Sequence, residues 1–347
     1  MSSAAEIDLE GPPAPLLEVR DLRVHFKTDY GMVKAVDGVS WHVNEGETLA
    51  IVGESGSGKS VSAMTILGLV PAPPATFPSG DIMLRGRSLL KMPEKQQRKL
   101  RGSQIAMIFQ DPLTALNPVF KVGEQIAEMV RVHQDVTKNV AKKRALDLLG
   151  EVGIPNPAVR LNQYPHEFSG GMRQRAMIAM ALANDPHVLL ADEPTTALDV
   201  TVQAQIMSLL EKLQNERNTA IVLITHDLGV VASYADRINV MYAGKIVETG
   251  TADEIFYEPR HAYTFGLLSS LPRMDQSRQE RLVPIKGLPP SLANVPRGCP
   301  FHPRCAFASD LCQQDVPELV AVGGKGHRAA CVHSDRVAMA HEERAVR

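Results

Sequence analysis

Residues 53–60 read Gly53-Glu54-Ser55-Gly56-Ser57-Gly58-Lys59-Ser60 and match the pattern G-x-x-x-x-G-K-[ST]. The apolar run Leu49–Val52 precedes them, and helical spacing follows from Ser60 to Val70. Glycines allow a backbone to wrap around phosphates, and the N–H groups of a helix N-terminus attract an anion. Lys59 is expected to reach the β- and γ-phosphates, and the Ser60 hydroxyl to bind Mg²⁺. A chance glycine-rich turn is the alternative, which the position between a buried strand and a helix disfavours.

The second motif is a pair of acidic residues, Asp192 and Glu193, that directly follows the apolar run Val188–Ala191. Ligands of open α/β sheets bind at the carboxyl ends of the strands, which is where we expect these acids. Asp192 is placed to hold Mg²⁺ through water, and Glu193 is the candidate general base for an attacking water. A solvated strand end is the alternative for an acidic pair taken alone. With the loop at 53–60, the pair indicates that ATP is bound and hydrolysed.

The remaining patterns predict an α/β fold. Period-2 alternation from Leu16 to Ile51 predicts half-buried, antiparallel strands, and residues 92–186 are interpreted as mostly helical. Two buried strands follow, Val188–Ala191 and Ala220–Ile224, and a helix over Val202–Asn215 separates them, so a parallel sheet is expected. Beyond roughly Arg260 the chain is rich in Pro, Gly, Arg and Cys and loses long periodic runs, so a second, small domain is expected there.

Bulk composition limits the classes of function. A chain of 347 residues with 44% hydrophobic and 22% charged residues is typical of a globular protein. The formal net charge of −2 and the 5% aromatic content give no case for a nucleic-acid partner. No run approaches the roughly 18 apolar residues that cross a bilayer. Residues 1–15 lack the basic start and apolar core of a secretion signal, so we interpret them as a flexible leader and expect a soluble protein.

A third motif, Phe168-Ser169-Gly170-Gly171-Met172, resembles the signature of ABC-type ATPases, with Met172 where glutamine is commonest. The resemblance implies that Ser169 begins a helix, continuing through Ala183, whose positive N-terminal end points at a γ-phosphate. A helix-start turn is the alternative for a lone Ser-Gly-Gly. In this family two nucleotide domains close head to tail, so the loop at 53–60 is expected to face the signature of a partner subunit.

Four further residues match elements of the same family. Gln110 resembles the Q-loop glutamine that senses the γ-phosphate and magnesium, and Asp199 resembles the aspartate of the D-loop. His226, directly after a predicted core strand, resembles the switch histidine that contacts the γ-phosphate and supports the attacking water. Tyr30 resembles the aromatic residue that stacks on adenine, and a plain surface tyrosine is the alternative.

Five segments are similar to ATP-binding subunits of oligopeptide and dipeptide importers: Gln110–Pro112, Leu116–Pro118, Tyr164–Phe168, His261–Thr264 and Gly298–Cys305. In the fourth segment, Ala262 replaces the usual proline. The resemblance implies an ATPase at the cytoplasmic face of the inner membrane, paired with a second, different ATPase subunit. Two membrane permease subunits and an extracytoplasmic peptide-binding protein are the other implied partners, with Gln110–Asn162 as the docking surface.

The resemblance also implies the fold class and the domain organisation. The fold is an α/β fold, an ABC-type P-loop NTPase with a mixed-sheet core, an antiparallel β subdomain, a helical subdomain and a small Cys-rich C-terminal domain. After the leader at 1–15, a nucleotide-binding domain is expected over 16–260, with its helical subdomain at about 100–186, followed by a C-terminal extension over 261–347. A non-transport ABC ATPase acting on nucleic acid or ribosomes is the alternative, which the single cassette and the lack of a heptad run disfavour. A non-hydrolysing regulatory subunit is a third hypothesis, against which the intact Lys59, Asp192, Glu193 and His226 argue.

The C-terminal extension holds every cysteine of the chain, with the spacing C-x5-C-x6-C-x18-C: Cys299, Cys305, Cys312 and Cys331. Four thiolates can close a tetrahedral zinc site or hold a four-iron cluster. Neither short gap matches the C-x2-4-C pairs of structural zinc sites, and similar importer subunits carry [4Fe–4S], so the cluster is favoured over Zn²⁺ or free thiols. The nearby His302, His327 and His333 keep mixed ligation open, and a structural role is expected.

Overall fold

The computed structural model describes residues 14–29, 31–196, 198–271, 284–324 and 326–346. All but the last two residues of the expected leader lie outside these ranges. The strands are, in chain order, β1 (Leu17–Thr28), β2 (Gly31–Val43), β3 (Thr48–Val52), β4 (Ala75–Thr76), β5 (Asp81–Leu84), β6 (Arg87–Ser88), β7 (Ile105–Ile108), β8 (Val188–Asp192), β9 (Ala220–Thr225), β10 (Arg237–Tyr242), β11 (Lys245–Thr251), β12 (Val320–Ala321) and β13 (Arg328–Ala329).

The helices flank these strands and are, in chain order, α1 (Lys59–Ile66), α2 (Glu94–Leu100), α3 (Pro112–Ala115), α4 (Val122–His133), α5 (Lys138–Glu151), α6 (Pro157–Arg160), α7 (Gly170–Ala181), α8 (Val200–Arg217), α9 (Leu228–Tyr234), α10 (Ala252–Tyr257), α11 (Ala262–Ser269), α12 (Leu311–Gln314) and α13 (Ser334–Val346). Short 3-10 turns lie at Pro165–Glu167 and His302–Arg304. The predicted helix over Val202–Asn215 is confirmed within α8.

The strands form two sheets, which confirms the predicted fold class. The first is antiparallel, in the order β2-β1-β5-β6, and β4 also pairs with β1. The second is mixed, in the order β12-β13-β11-β10-β3-β9-β8-β7. Its central strands run parallel, and the residues of β3, β8 and β9 are all buried, as their continuous apolar runs predict.

The parallel central strands determine where the predicted motifs meet. β3 pairs with β9, and β9 pairs with β8, so the three strands end at the same edge of the sheet. The glycine-rich loop follows β3, the two acids lie at the end of β8, and His226 follows β9. The fold therefore gathers these motifs at one carboxyl edge, the usual ligand site of an open α/β sheet.

The interpretation of residues 92–186 as mostly helical is confirmed, with β7 as an exception that was not predicted. Ile105–Ile108 is a fully buried strand that pairs in parallel with β8 at the edge of the central sheet. A four-residue apolar run has no readable period, so pairing with a neighbouring strand decides its structure. The helical layer begins after this strand, where α4, α5 and α7 share a core that includes Ile126, Leu148 and Ile178.

The C-terminal extension continues the central sheet. β13 pairs with β11, and β12 pairs with β13, so two short strands of the extension are added at one edge of the sheet of the nucleotide-binding domain. A common apolar core joins Tyr242, Tyr263, Phe301 and Val337 from both parts of the chain. Strands of two residues leave no periodic signal in the sequence, which is why this connection was not predicted.

Candidate nucleotide site

Glycine is required in the loop at 53–60 because the backbone passes close to other main-chain atoms. A Cβ atom on Gly53 would lie 2.2 Å from the carbonyl oxygen of Met241. A Cβ atom on Gly58 would lie 2.1 Å from the carbonyl oxygen of Ala35, and Gly58 has a φ of 104°. Since Gly58 also caps α1, the loop leads directly into the helix N-terminus, where N–H groups favour an anion.

Lys59 is buried, and its ammonium group closes the loop on itself. Its Nζ donates to the carbonyl oxygens of Gly53 at 2.8 Å and Glu54 at 3.0 Å. Burial lowers the pKa of Lys59, and the carboxylates of Glu193, Asp192 and Glu54 oppose that change. The lysine is thus a poorly hydrated cation beside several acids. Phosphate oxygens can replace the Gly53 and Glu54 carbonyls as acceptors of its N–H hydrogen bonds.

Ser60 and Asp192 contact one another across the site. The Ser60 hydroxyl donates to Asp192 Oδ1 over 2.9 Å, which joins the start of α1 to the end of β8. Burial raises the pKa of Asp192, and the charge of Glu193 raises it further, although the Ser60 hydrogen bond lowers it. A hydroxyl and a crowded carboxylate are oxygen ligands that suit Mg²⁺, so these residues fit the ion the sequence implies.

Glu193 lies at the centre of a hydrogen-bonded group. Its Oε2 accepts from Gln110 Nε2 at 2.9 Å and from Thr196 Oγ1 at 2.8 Å, and its Oε1 lies 3.2 Å from His226 Nδ1. Burial acts to raise the pKa of Glu193, but the bonds from Thr196 and His226 and the charge of Lys59 give a net lowering. An ionised carboxylate whose oxygens are oriented in this way can accept a proton from water.

The backbone of Glu193 is strained, with a φ of 47° in the left-handed region. A non-glycine residue rarely adopts that conformation, and such strain occurs often at functional sites. The Glu193 N–H donates to the carbonyl oxygen of Ile224 at 2.8 Å, which ties the turn after β8 to the neighbouring strand β9. This bond fixes the carboxylate at the edge where the other motifs meet.

Thr196 is a residue of the Glu193 group that the sequence analysis missed. It lies three positions after Glu193 in the same turn, and its hydroxyl contacts the carboxylate directly. No motif pointed to it, since a threonine in a turn has many structural uses. Gln110 and His226 were predicted as contacts of the γ-phosphate, and in this structure both contact Glu193.

The signature and the D-loop residue lie at the starts of two neighbouring helices. Ser169 accepts a hydrogen bond from the Met172 N–H at 3.3 Å and caps α7, as predicted, and Asp199 caps α8. A Cβ atom on Gly171 would lie 2.9 Å from Val202 Cγ1, so the two helix starts pack closely. Ser169 and Gly170 are exposed. Within the ranges that the structure covers, no hydrogen bond links the signature to the loop at 53–60.

Tyr30, the predicted adenine-stacking residue, lies outside the described residues. The same applies to Ala197, which follows Thr196 in the turn after Glu193.

The four cysteines lie in the C-terminal extension and form no disulfide among the residues that the structure describes. Burial raises the pKa of both Cys299 and Cys305 to about 11, and the neighbouring thiols of Cys312 and Cys331 contribute to the shift. The Cys299 N–H donates to the Cys312 carbonyl at 2.8 Å, so two of the cysteines also meet through the backbone. Among the described residues, no three His, Cys, Asp or Glu side chains are placed to hold a metal ion.

The three histidines near the cysteines each make a hydrogen bond. His302 Nδ1 contacts the Cys299 carbonyl at 2.9 Å, and His333 Nε2 contacts Ser309 Oγ at 2.8 Å. His327 Nε2 contacts Glu248 Oε1 at 2.9 Å, and both of these side chains are fully buried. His327 thereby joins the extension to β11 of the nucleotide-binding domain.

None of the helices in the described parts of the chain combines the length and apolar character needed to span a bilayer.

Two protein families match the chain. The family described as "ABC transporter" matches residues 36–196, and the family described as "Oligopeptide/dipeptide transporter, C-terminal region" matches residues 247–312. The first match covers the loop, the signature and the two acids, and the second begins in β11 and reaches three of the four cysteines.

Curated relatives match over most of their length. The oligopeptide transport ATP-binding protein OppD of Bacillus subtilis is 56% identical over 88% of this chain and 86% of the relative. The dipeptide transport ATP-binding protein DppD of Lactococcus lactis subsp. cremoris is 54% identical over 88% of each chain.

A solved structure shares the fold of the nucleotide-binding part. It is a dimeric ATP-binding cassette in a post-hydrolysis state, bound to ADP and Pi. It matches with a TM-score of 0.62 and 28% identity, and the match covers 68% of this chain and 98% of that one.

Proposed function

The chain belongs to the ATP-binding subunits of oligopeptide and dipeptide ABC transporters, and on that basis we propose how its residues use ATP to drive peptide import. It is an ATPase subunit of a peptide importer. The observation that carries the proposal is the group around Glu193, where one ionised carboxylate contacts Gln110, Thr196 and His226. That group lies at the same sheet edge as the loop at 53–60.

Each residue of this edge has a distinct task in the proposed reaction. The backbone N–H groups of the loop and the ammonium of Lys59 bind the β- and γ-phosphates of ATP. Ser60 and Asp192 hold Mg²⁺, which when bound neutralises charge on the phosphate oxygens. Glu193 accepts a proton from the water that attacks the γ-phosphate. Thr196 holds the carboxylate in place. Gln110 and His226, which contact Glu193 in this structure, turn to the γ-phosphate when nucleotide enters.

The complete site requires a second ATPase subunit. Ser169 and Gly170 lie exposed at the N-terminus of α7, and the described residues form no hydrogen bond between this signature and the chain's own phosphate loop. An exposed helix N-terminus is suited to a phosphate supplied from another surface. The similar solved cassette is a dimer bound to ADP and Pi, which supports pairing of two nucleotide domains. We assign Ser169–Met172 to the partner's nucleotide and Asp199 to the same interface, and we propose that the partner is a different chain.

The remaining subunits follow from the relatives, which are named as transport ATP-binding proteins for oligopeptides and dipeptides. We propose that this chain binds peripherally to two permease subunits at the cytoplasmic face of the membrane, and that an extracytoplasmic binding protein delivers the peptide. The helical region Gln110–Asn162 is the proposed contact surface. It carries the exposed apolar side chains of Leu113, Val119 and Phe120, directly after the Gln110 that contacts Glu193.

We also propose that the four cysteines hold a [4Fe–4S] cluster, with Zn²⁺ as the alternative. The proposal is supported by the donor set, four thiols close enough that Cys312 and Cys331 raise the pKa of Cys299. Thiolates are the ligands that such clusters take, and a bound cluster supplies the positive charge that replaces their protons. Its role is structural, since it would cross-link segments of the extension that are short and poor in regular secondary structure.

The proposed function is tested by ATP hydrolysis in the assembled complex. The chain is purified with its permease and partner ATPase subunits in liposomes, and ATP hydrolysis is measured with and without binding protein and peptide. Stimulation by an oligopeptide or dipeptide is expected. A complex that hydrolyses ATP at the same rate with and without peptide, and does so equally without the permease subunits, contradicts a role in peptide transport.

A further inference from the structure

An arginine of the C-terminal extension contacts the phosphate loop directly. Arg304 NH1 lies 2.5 Å from Glu54 Oε2, and Arg304 NH2 lies 2.9 Å from Glu54 Oε1. This is a bidentate ion pair between residues 250 positions apart, and only 5% of the Arg304 side chain is exposed. Glu54 is the second residue of the loop, between Gly53 and Ser55. The extension therefore holds the loop that binds phosphate.

The position of Arg304 is fixed by the groups around it. Its Nε donates to the Lys286 carbonyl at 3.1 Å, and NH1 donates to the Tyr242 hydroxyl at 3.3 Å. The guanidinium carbon lies 5.9 Å from the ring centroids of both Tyr242 and Phe301. A side chain held in this way loses little further conformational entropy when it pairs with a carboxylate.

The extension holds the backbone of Glu54 as well as its side chain. The Glu54 N–H donates to the Tyr263 hydroxyl at 2.8 Å, and the Glu54 carbonyl accepts from Lys59. Tyr263 belongs to α11 and packs against Tyr242 with ring centroids 4.6 Å apart. The first half of the loop is thus fixed by Arg304 and Tyr263 on one side and by Lys59 on the other.

The charge of Arg304 also matters for an anionic ligand. Glu54 places a carboxylate in a loop that must accept a triphosphate, and like charges at short range repel. Arg304 neutralises the charge of this carboxylate and holds it in one orientation. Without the arginine, the loop gains a free negative charge and loses two charge-assisted hydrogen bonds.

We propose that Arg304 is a positioning residue for ATP, which acts through Glu54 and makes the C-terminal extension a working part of the nucleotide site. This inference rests on the proposed binding of ATP at residues 53–60. Because only 5% of its side chain is exposed and its guanidinium is paired with Glu54, Arg304 acts on ATP without contacting it. Its effect is on the affinity of the loop for the triphosphate, so ATP binding is expected to change much more than the rate of hydrolysis at saturation.

The test compares four forms of the full-length chain: wild type, Arg304→Met, the double variant Arg304→Met with Glu54→Gln, and Asp335→Asn. The last is a control, because Asp335 makes an exposed contact with Arg260 at 3.5 Å elsewhere on the extension. The Kd for MgATP and the Tm are measured for each form. Arg304→Met is expected to weaken ATP binding about tenfold, the size of one charge-assisted interaction. The double variant is expected to recover to within about threefold of wild type, because the unpaired charge is gone. The control is expected to bind as wild type.

A second readout separates positioning from general stability. In the assembled complex, Arg304→Met should raise the KM for ATP and leave kcat within about twofold of wild type. Arg304→Lys keeps the positive charge and loses the bidentate guanidinium geometry, so its Kd and KM for ATP should lie between those of wild type and Arg304→Met. This variant replaces Arg304→Met in the test if the methionine variant does not fold. An unchanged Kd in Arg304→Met or Arg304→Lys overturns the inference, and so does a loss that Glu54→Gln fails to relieve. A wild-type chain that does not bind MgATP overturns the proposed function instead.

Discussion

The Ser60 hydroxyl lies 2.9 Å from Asp192 Oδ1, so two residues 132 positions apart in the chain form one hydrogen-bonded pair. The pair exists because β3 and β8 both flank β9 and end at the same edge of the sheet. Burial raises the pKa of Asp192, and the adjacent Glu193 adds to the effect. A divalent cation at this pair would relieve that crowding of negative charge, which supports the proposed binding of Mg²⁺ by Ser60 and Asp192.

Replacing Asp192 by Asn tests the magnesium pair. The amide keeps the shape of the side chain and loses its charge, so hydrolysis of MgATP should fall on the order of 100-fold. Binding of ATP in the presence of EDTA should stay as in wild type, because the loop and Lys59 are intact. Asp253→Asn, at an exposed position of α10, is the control and should leave both measurements unchanged. Full activity of Asp192→Asn with Mg²⁺ would remove this residue from the ion site.

Replacing Thr196 by Val tests the hydrogen bond to Glu193. The bond to Thr196 lowers the pKa of Glu193, and the proposed role as general base needs the deprotonated form. Loss of the bond raises this pKa, so the acidic limb of the kcat profile should move to higher pH by up to about one unit. The exposed Thr201 on α8 provides a matched control as Thr201→Val. A profile of Thr196→Val that overlays the wild type shows that the bond does not tune the base.

Replacing His261 by Asn tests a buried group at the junction with the extension. Burial lowers the pKa of His261 from 6.5 to about 3, so the folded protein keeps this side chain neutral while the unfolded chain binds a proton below pH 6.5. Its stabilising contribution is complete above pH 6.5 and is lost as the pH falls toward 3. Between pH 8 and pH 5 the wild type should lose about 2 kcal/mol more than the variant.

The readout for His261 is the free energy of unfolding from pH 5 to pH 8, measured for both proteins. Asparagine can accept the hydrogen bond that His261 Nδ1 receives from the Tyr263 N–H at 3.0 Å, so the cap of α11 is preserved. Parallel curves for the two proteins would show that His261 does not titrate differently in the folded and unfolded states.

Anaerobic purification tests the proposed cluster. We expect brown protein with iron and acid-labile sulfide in a four-to-four ratio per chain, following the proposed [4Fe–4S] composition. Cys312→Ser should lose most of the iron, because a serine oxygen is a poorer ligand for the cluster. Ser291→Ala serves as the control, because this serine lies at an exposed position of the extension and its hydroxyl accepts from the Ala293 N–H. Colourless protein with one zinc per chain would contradict the proposed cluster and support the zinc site.

Much of the site could be predicted because its motifs follow buried strands. Gly53, Asp192 and His226 each lie at or directly after the carboxyl end of a continuous apolar run, and adjacent parallel strands bring such ends together. Ser169 was predicted as a helix start from the family resemblance, and in the structure its side chain caps the first turn of α7.

The residues that escaped prediction act through tertiary contacts. Thr196 carries no motif, and its hydroxyl acquires a partner only when the turn after β8 takes the strained backbone of Glu193. Arg304 lies in a segment that was interpreted only through its cysteines. Its contact with Glu54 depends on the packing of the extension against Tyr242 and Tyr263. Such contacts between distant segments leave no periodic or spacing signal in a single sequence.

The most direct test of the account measures ATP-driven peptide uptake. Liposomes carrying the assembled complex enclose MgATP, and binding protein with a labelled oligopeptide is added outside. Wild type should accumulate peptide inside. Glu193→Gln should bind ATP with an unchanged Kd while uptake and hydrolysis fall at least about 100-fold, the usual effect of losing a general base. Glu216→Gln, at an exposed position of α8, is the matched control and should transport as wild type. Uptake by Glu193→Gln at the wild-type rate would contradict the claim that hydrolysis at this site drives import.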